Sequence, residues 1–115
     1  MKRRTEFSPA ARKKIIERDE GRCIFCERGY RMENAEVFAL SIKGLMHYIP
    51  RSQGGLGVPE NGAVGCQYHH HMMDNGKEGY REEMLGIFKE YLKEHYLEWD
   101  EEKLIYSKWR WVNGR

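Results

Sequence analysis

Apolar residues along the chain recur with different periods in different stretches, and each period predicts a different element. From Glu78 to Tyr96 the positions Tyr80, Met84, Leu85, Ile87, Phe88, Tyr91, Leu92 and Tyr96 recur at helical spacing with charges between them, which predicts an amphipathic helix. An earlier helix is predicted over Ala10 to Arg18: Ser8 supplies a hydroxyl N-cap, Pro9 occupies the first helical position, and Glu20-Gly21 stops it. Between these helices the pattern changes. Glu36 to Ile42 (EVFALSI) is β-prone and predicts a strand, Lys43-Gly44 a turn, and Leu45-Met46-His47-Tyr48-Ile49 a second strand. The stretch from Pro50 to Asn61, PRSQGGLGVPEN, reads as a loop, and the short apolar run Ala63-Val64-Gly65 is expected to pair with the strand holding His47. A helix through Gln67 to about Asp74, ended by Asn75-Gly76, completes a ββα unit. Asp100-Glu101-Glu102 resembles the acidic first turn of a last short helix carrying Leu104, Ile105 and Trp109. No repeat and no dividing linker is present, so the expectation is one small α+β domain over residues 1–115.

Composition adds one constraint. With 115 residues, 40% of them hydrophobic and 33% charged, the chain builds a core, but a small one, and domains of this size often need a staple such as a metal. No apolar run is long enough to cross a bilayer, and the opening MKRRTEFSPAARKK has positive residues without the apolar stretch of a signal peptide, which predicts a cytoplasmic protein. Three cysteines, an odd number, then favour metal ligands over a disulfide framework. The formal net charge is only +2, but residues 1–22 hold eight Lys/Arg against four Asp/Glu. That basic arm could track phosphates; on charge alone, a solvated terminus is the simpler reading.

The thiols have metal-ligand spacing. Cys23-Ile24-Phe25-Cys26 reads as a tight knuckle, because Glu27-Arg28-Gly29 follows directly, and Cys66-x-x-His69 supplies a second pair about forty residues on. Cys23, Cys26, Cys66 and His69 are thus expected to hold one tetrahedral structural zinc. The competing reading is a redox CxxC with an unrelated Cys66, but nothing around Cys23 suggests the strand-to-helix site of a thioredoxin-like enzyme.

The stretch MHYIPRSQGG, then Asn61, then CQYHHHMMDNG resembles the HNH endonuclease motif of the ββα-metal nucleases, in the form common in phage and prophage genes. His47 lies 14 residues before Asn61, and Asn61 lies 9 before His70, as in that family's layout. Motif and zinc half-sites together span residues 23–76. The basic helical arm of residues 1–22 and the helices of residues 77–115 also fit this branch. The resemblance implies a ββα-metal core with a zinc knuckle, and a metal-dependent DNA endonuclease leaving 5′-phosphate and 3′-hydroxyl ends. It gives His47 the role of general base, Asn61 that of positioning it by tying down the loop, and His70 that of binding the catalytic divalent ion. Asp74, one helical turn later, shares the His70 face and can share the ion. Magnesium, manganese or nickel are the candidate ions, and Arg51, after the motif proline, is a candidate clamp for the scissile phosphate.

Two departures from the family pattern stand out. His69 replaces a frequent cysteine, which zinc tolerates. Met46 stands where many members carry an Asp or His metal ligand, and a thioether is a poor ligand for magnesium or manganese. Met46 motivates a rival reading, a nuclease-derived protein that binds DNA or inhibits a partner without cleaving. A plain zinc-binding structural domain is a third. His71 replaces His70 at the ion only if the helix register shifts; His95 reads as structural, and Trp99, Trp109 and Trp111 as packing residues rather than base-stacking ones. DNA is the expected partner, with no membrane contact, and weak sequence preference unless a protein partner supplies targeting. The resemblance places the protein in the cytoplasm of a bacterial cell or phage-infected host.

Overall fold

The structure is a computed structural model that describes residues 4–77 and 79–106. Helix α1 runs Pro9–Asp19, begun by the Ser8 hydroxyl, which accepts from the Ala11 N–H at 3.1 Å, and ended at Glu20, whose φ of +57° turns the chain out of the helix. Ala11 and Ile15 form its buried face. The predicted knuckle is a single helical turn, α2 (Ile24–Glu27), with Cys23 as its N-cap residue.

The next stretch corrects the expectation. Glu36 to Ile42 is not a strand; Val37–Ser41 form a short helix, α3, with Val37 81% and Phe38 72% exposed. Lys43-Gly44 is not a turn either, since both residues open strand β1 (Lys43–His47). β1 pairs antiparallel with β2 (Gly62–Cys66), matching Lys43 with Cys66, Met46 with Ala63 and His47 with Gly62. Strand propensity reports fit to a half-buried pleated surface, and a segment with Val37 and Phe38 exposed meets no such surface. On β2 the Asp19 carboxylate accepts from the Val64 N–H at 2.8 Å, and the Arg18 guanidinium donates to the Gly62 carbonyl at 2.6 Å. Side chains of α1 therefore cap the backbone groups that a third strand would need.

That capping pair is itself buried, with side-chain exposures of 10% for Arg18 and 0% for Asp19. Arg18 and Asp19 meet in a two-pronged ion pair, and Arg18 also donates to the Pro59 carbonyl and the Tyr96 hydroxyl, while the Tyr91 hydroxyl donates to Asp19. Asp19→Ala leaves the guanidinium buried without its counter-charge and is expected to cost about 3–5 kcal/mol in urea unfolding, against about 1 kcal/mol for Tyr91→Phe.

β1 ends at His47 rather than Ile49, because the Tyr48 and Ile49 N–H groups are taken by the carbonyl and side chain of Asn61. The 50–61 loop is held elsewhere too: Gly55 bridges to Ile105, the Leu56 N–H donates to the Leu104 carbonyl, and the Tyr106 N–H donates to the Gly54 carbonyl. After β2 the chain turns directly into α4 (Gln67–Asn75), and α5 (Tyr80–His95) packs the buried face Met84, Phe88 and Leu92 over it. Both helices agree with the sequence pattern. The core lies between them and the sheet, around Phe25, Met46, Met73 and Phe88. The Trp99 indole donates to the Glu60 carbonyl at 2.8 Å and meets Tyr48 edge to face. The last turn, Glu101–Leu104, is capped by the Asp100 carboxylate; Trp109 and Trp111 lie outside the described residues. No described helix is long and apolar enough to cross a membrane.

Candidate functional site

Two sets of chemistry-bearing side chains share α4. The first is the four-residue cluster. The ligand atoms of Cys23, Cys26, Cys66 and His69 all lie within 4.8 Å of one another. The Cys26 and Cys66 sulfurs are 3.6 Å apart, and His69 Nδ1 lies 3.7, 3.5 and 3.3 Å from the sulfurs of Cys23, Cys26 and Cys66. A tetrahedral zinc with its usual bond lengths sets sulfur–sulfur edges of about 3.8 Å and sulfur–nitrogen edges of about 3.6 Å, so these residues fit such an ion. His69 Nε2 lies 2.6 Å from the Tyr30 carbonyl. A carbonyl only accepts, so Nε2 carries the proton and Nδ1 turns its lone pair toward the thiols, the outer hydrogen bond expected of a metal-ligating histidine. Burial, and then the Cys23 and Cys66 sulfurs, push the Cys26 thiol well above its ordinary pKa, so ionised sulfurs share this space only around a cation. α2 delivers two thiols, the end of β2 the third, and the first turn of α4 the imidazole. A redox pair needs no such convergence.

The second set lines a cavity of about 580 Å³ on the other side of α4. His47 and Arg51 reach it from β1 and the turn beyond it, and His70 and Asp74 from α4. His70 Nε2 and Asp74 Oδ2 are 3.4 Å apart, both partly open to solvent. Two neighbouring donors, nitrogen and oxygen, facing a polar cavity fit a divalent cation that keeps several waters. His71, one residue on, is exposed and does not line this cavity; its Nδ1 lies 3.4 Å from the Asn75 amide. The helix register thus brings His70, not His71, toward His47. His95 donates to the Tyr91 carbonyl one turn back and packs at a tilt against the Tyr91 ring, away from the cavity.

His47 is half-buried. Burial lowers its pKa below the ordinary value; a hydrogen bond to the Thr5 carbonyl opposes that and the Arg51 charge adds to it. The ring is consequently neutral, and able to accept a proton, at neutral pH. Asn61 is fully buried, its amide bonding Ile49 N at 2.8 Å, Ile49 O at 3.1 Å and Leu56 O at 2.8 Å. It thereby fixes the start of the loop to the strand that carries His47, two residues away.

Met46 is 1% exposed and points into the core, on the opposite face of β1 from His47. Alternation along the strand explains this: positions 45 and 47 share a face, and Leu45 lines the cavity. Met46→Asp would therefore bury a carboxylate rather than supply a ligand, and position 45 is where an added carboxylate would face the cavity.

Several cavity residues escaped the sequence reading. Arg12 comes from α1 and Arg81 from α5, while Glu6 and Phe7 come from the segment before α1. Arg81 donates to the Met73 carbonyl at 3.0 Å and lies 3.9 Å from Asp74; Arg51 lies 3.2 Å from Glu6. The excess of basic residues at residues 1–22 was a signal for Arg12, but nothing in the sequence separates Arg81 from the other charges of an amphipathic helix. Compared with protein-family models, curated proteins and solved structures, the chain matches none, so function is read from the chemistry of these residues.

Proposed function

We propose that this chain is a metal-dependent DNA endonuclease of the HNH, ββα-metal kind, with a structural zinc in the Cys23, Cys26, Cys66, His69 cluster. The observation that carries the reading is the meeting of His47, His70, Asp74 and Arg51 on one cavity beside a loop locked by Asn61. His47 holds a neutral imidazole where a water can be deprotonated, with Nε2 committed to Thr5 and Nδ1 left to accept the proton. His70 and Asp74 would hold the divalent ion, which when bound supplies charge to stabilise the phosphorane-like transition state and the leaving oxygen. Arg51, which lines the cavity and pairs with Glu6, would exchange that pairing for a non-bridging phosphate oxygen of the substrate.

Supercoiled plasmid incubated with the protein is expected to be nicked and linearised in magnesium, manganese or nickel and to remain intact in EDTA. The second reading, a DNA-binding or inhibitor protein without catalysis, is favoured by one observation: among the described residues no third metal-ligand side chain is gathered with His70 and Asp74. Gel-shifted but uncut plasmid under all three ions would support it.

Arg12 has no ion pair among the described residues and faces the same cavity. On the nuclease reading it contacts backbone phosphate. Arg12→Ala is expected to weaken duplex binding at every sequence and to reduce the slope of log K against log salt by about 1, measured by fluorescence anisotropy across a salt series.

A further inference from the structure

The His47 ring is oriented by a part of the chain remote from the motif. Its Nε2 lies 2.7 Å from the Thr5 carbonyl, and its face stacks on Phe7 with ring centroids 4.1 Å apart and planes 27° from parallel. Asn61, by contrast, bonds only backbone groups of Ile49 and Leu56 through its side chain. It fixes the strand end and the loop, while the imidazole itself retains rotation about its side-chain bonds. A carbonyl accepts and never donates, so the Thr5 bond selects the tautomer with the proton on Nε2 and leaves Nδ1 as the basic atom.

We propose that residues Arg4 to Phe7 form a positioning strap for the general base, with the Thr5 carbonyl setting the His47 tautomer and Phe7 setting the plane of its ring. The inference rests on the reading of His47 as the base. The strap is seated closely against two glycines whose positions leave no room for a side chain. The Gly57 N–H donates to the Arg4 carbonyl at 2.9 Å, and a Cβ at Gly57 would overlap the Glu6 carbonyl. A Cβ at Gly62 would strike the Phe7 ring. Glu6 completes the attachment through its ion pair with Arg51 at 3.2 Å. Both glycines belong to the loop and strand that Asn61 organises, so the loop holds the strap and the strap holds the base. Phe7 is a positioning residue; it acts on substrate only through His47.

Full-length wild type, Phe7→Ala and Phe7→Tyr, each checked for zinc content and far-UV CD, would be compared by ¹⁵N NMR of the neutral His47 ring and by steady-state cleavage. The wild type is expected to show a single Nε2–H tautomer. Phe7→Ala is expected to show a mixture, with kcat reduced about tenfold or more and KM unchanged, and Phe7→Tyr to restore both readouts. An Nδ1–H tautomer in the wild type would overturn the proposal. So would a folded Phe7→Ala variant with an unchanged tautomer and wild-type kcat, or one that cleaves faster, which would make the segment a lid. If the wild type cuts no DNA, the nuclease reading fails, and the tautomers of the wild type and Phe7→Ala still decide whether the strap orients the ring.

Discussion

Cys66→Ser is expected to leave the protein unfolded at 25 °C, seen as loss of far-UV CD and of any cooperative thermal transition, with zinc content falling from one equivalent to a small fraction. The Cys66 sulfur lies within 3.6 Å of Cys26 and 3.3 Å of His69, so no other described side chain takes its place in the cluster. The cluster ties α2 to the junction where β2 passes into α4, and besides it these short elements are held by the small apolar core they share. A structural zinc contributes about 10–16 kcal/mol to folding in small domains, which equals or exceeds the roughly 5–15 kcal/mol by which such domains are stable at all. The core around Phe25, Met46 and Phe88 is too small to offset a loss of that size. A Cys66→Ser protein that melts cooperatively near the wild-type temperature would show that the cluster is not the staple. Conversely, a strong chelator is expected to unfold the wild type slowly, as the largely buried site releases its ion.

His47→Ala is expected to reduce DNA cleavage by at least about 10²-fold, and up to about 10⁴-fold, without changing the melting temperature by more than a few degrees or the affinity for DNA. The ring is half-buried but belongs to the cavity wall rather than to the core, so its loss removes a proton acceptor while leaving the packing of β1 against β2 intact. The pH profile follows from the direction of the His47 shift. On the proposed reading of His47 as general base, cleavage requires the neutral imidazole, and burial together with the Arg51 charge, partly opposed by the Thr5 bond, holds the pKa below the ordinary histidine value. The wild-type rate should therefore fall on the acid side only below that ordinary value. Arg51→Ala, by removing a nearby positive charge, should move that acid limb upward as well as raising KM. A His47→Ala variant that nicks plasmid as fast as the wild type would remove the assignment.

Much of the site was legible because its chemistry is carried by spacing along the chain. The CxxC and CxxH pairs predict the candidate Cys3His metal cluster, and the resemblance assigns His70 and Asp74 a task separate from that of His69. Met46 was read as a missing ligand because the sequence gives its position next to His47 but not the face of the strand it occupies; the strand places it in the core. The 36–42 segment failed for a related reason. Val, Phe and Ile suggested a strand, yet the segment folds as a short helix with Val37 and Phe38 exposed, and no local pattern announces which stretch will find a strand partner. The strap over His47 and the approach of Arg81 were likewise invisible, since they depend on where the chain before α1 and the start of α5 come to rest after folding. Local periodicity predicted the elements, whereas the contacts between distant segments had to be seen.

The central claim is that one helix serves two ions, a structural zinc held by Cys66 and His69 at its start and an exchangeable cation at His70 and Asp74 facing the other way. The most direct measurement treats purified wild type briefly with EDTA, removes the chelator by gel filtration, and follows metal content, CD and plasmid nicking together as manganese is added back. The account predicts that the treated protein keeps one zinc and its fold, has lost nicking, and regains it in proportion to manganese bound at a second site. A protein that retains its zinc and fold, binds plasmid, and yet fails to nick it at saturating manganese, magnesium or nickel would contradict it.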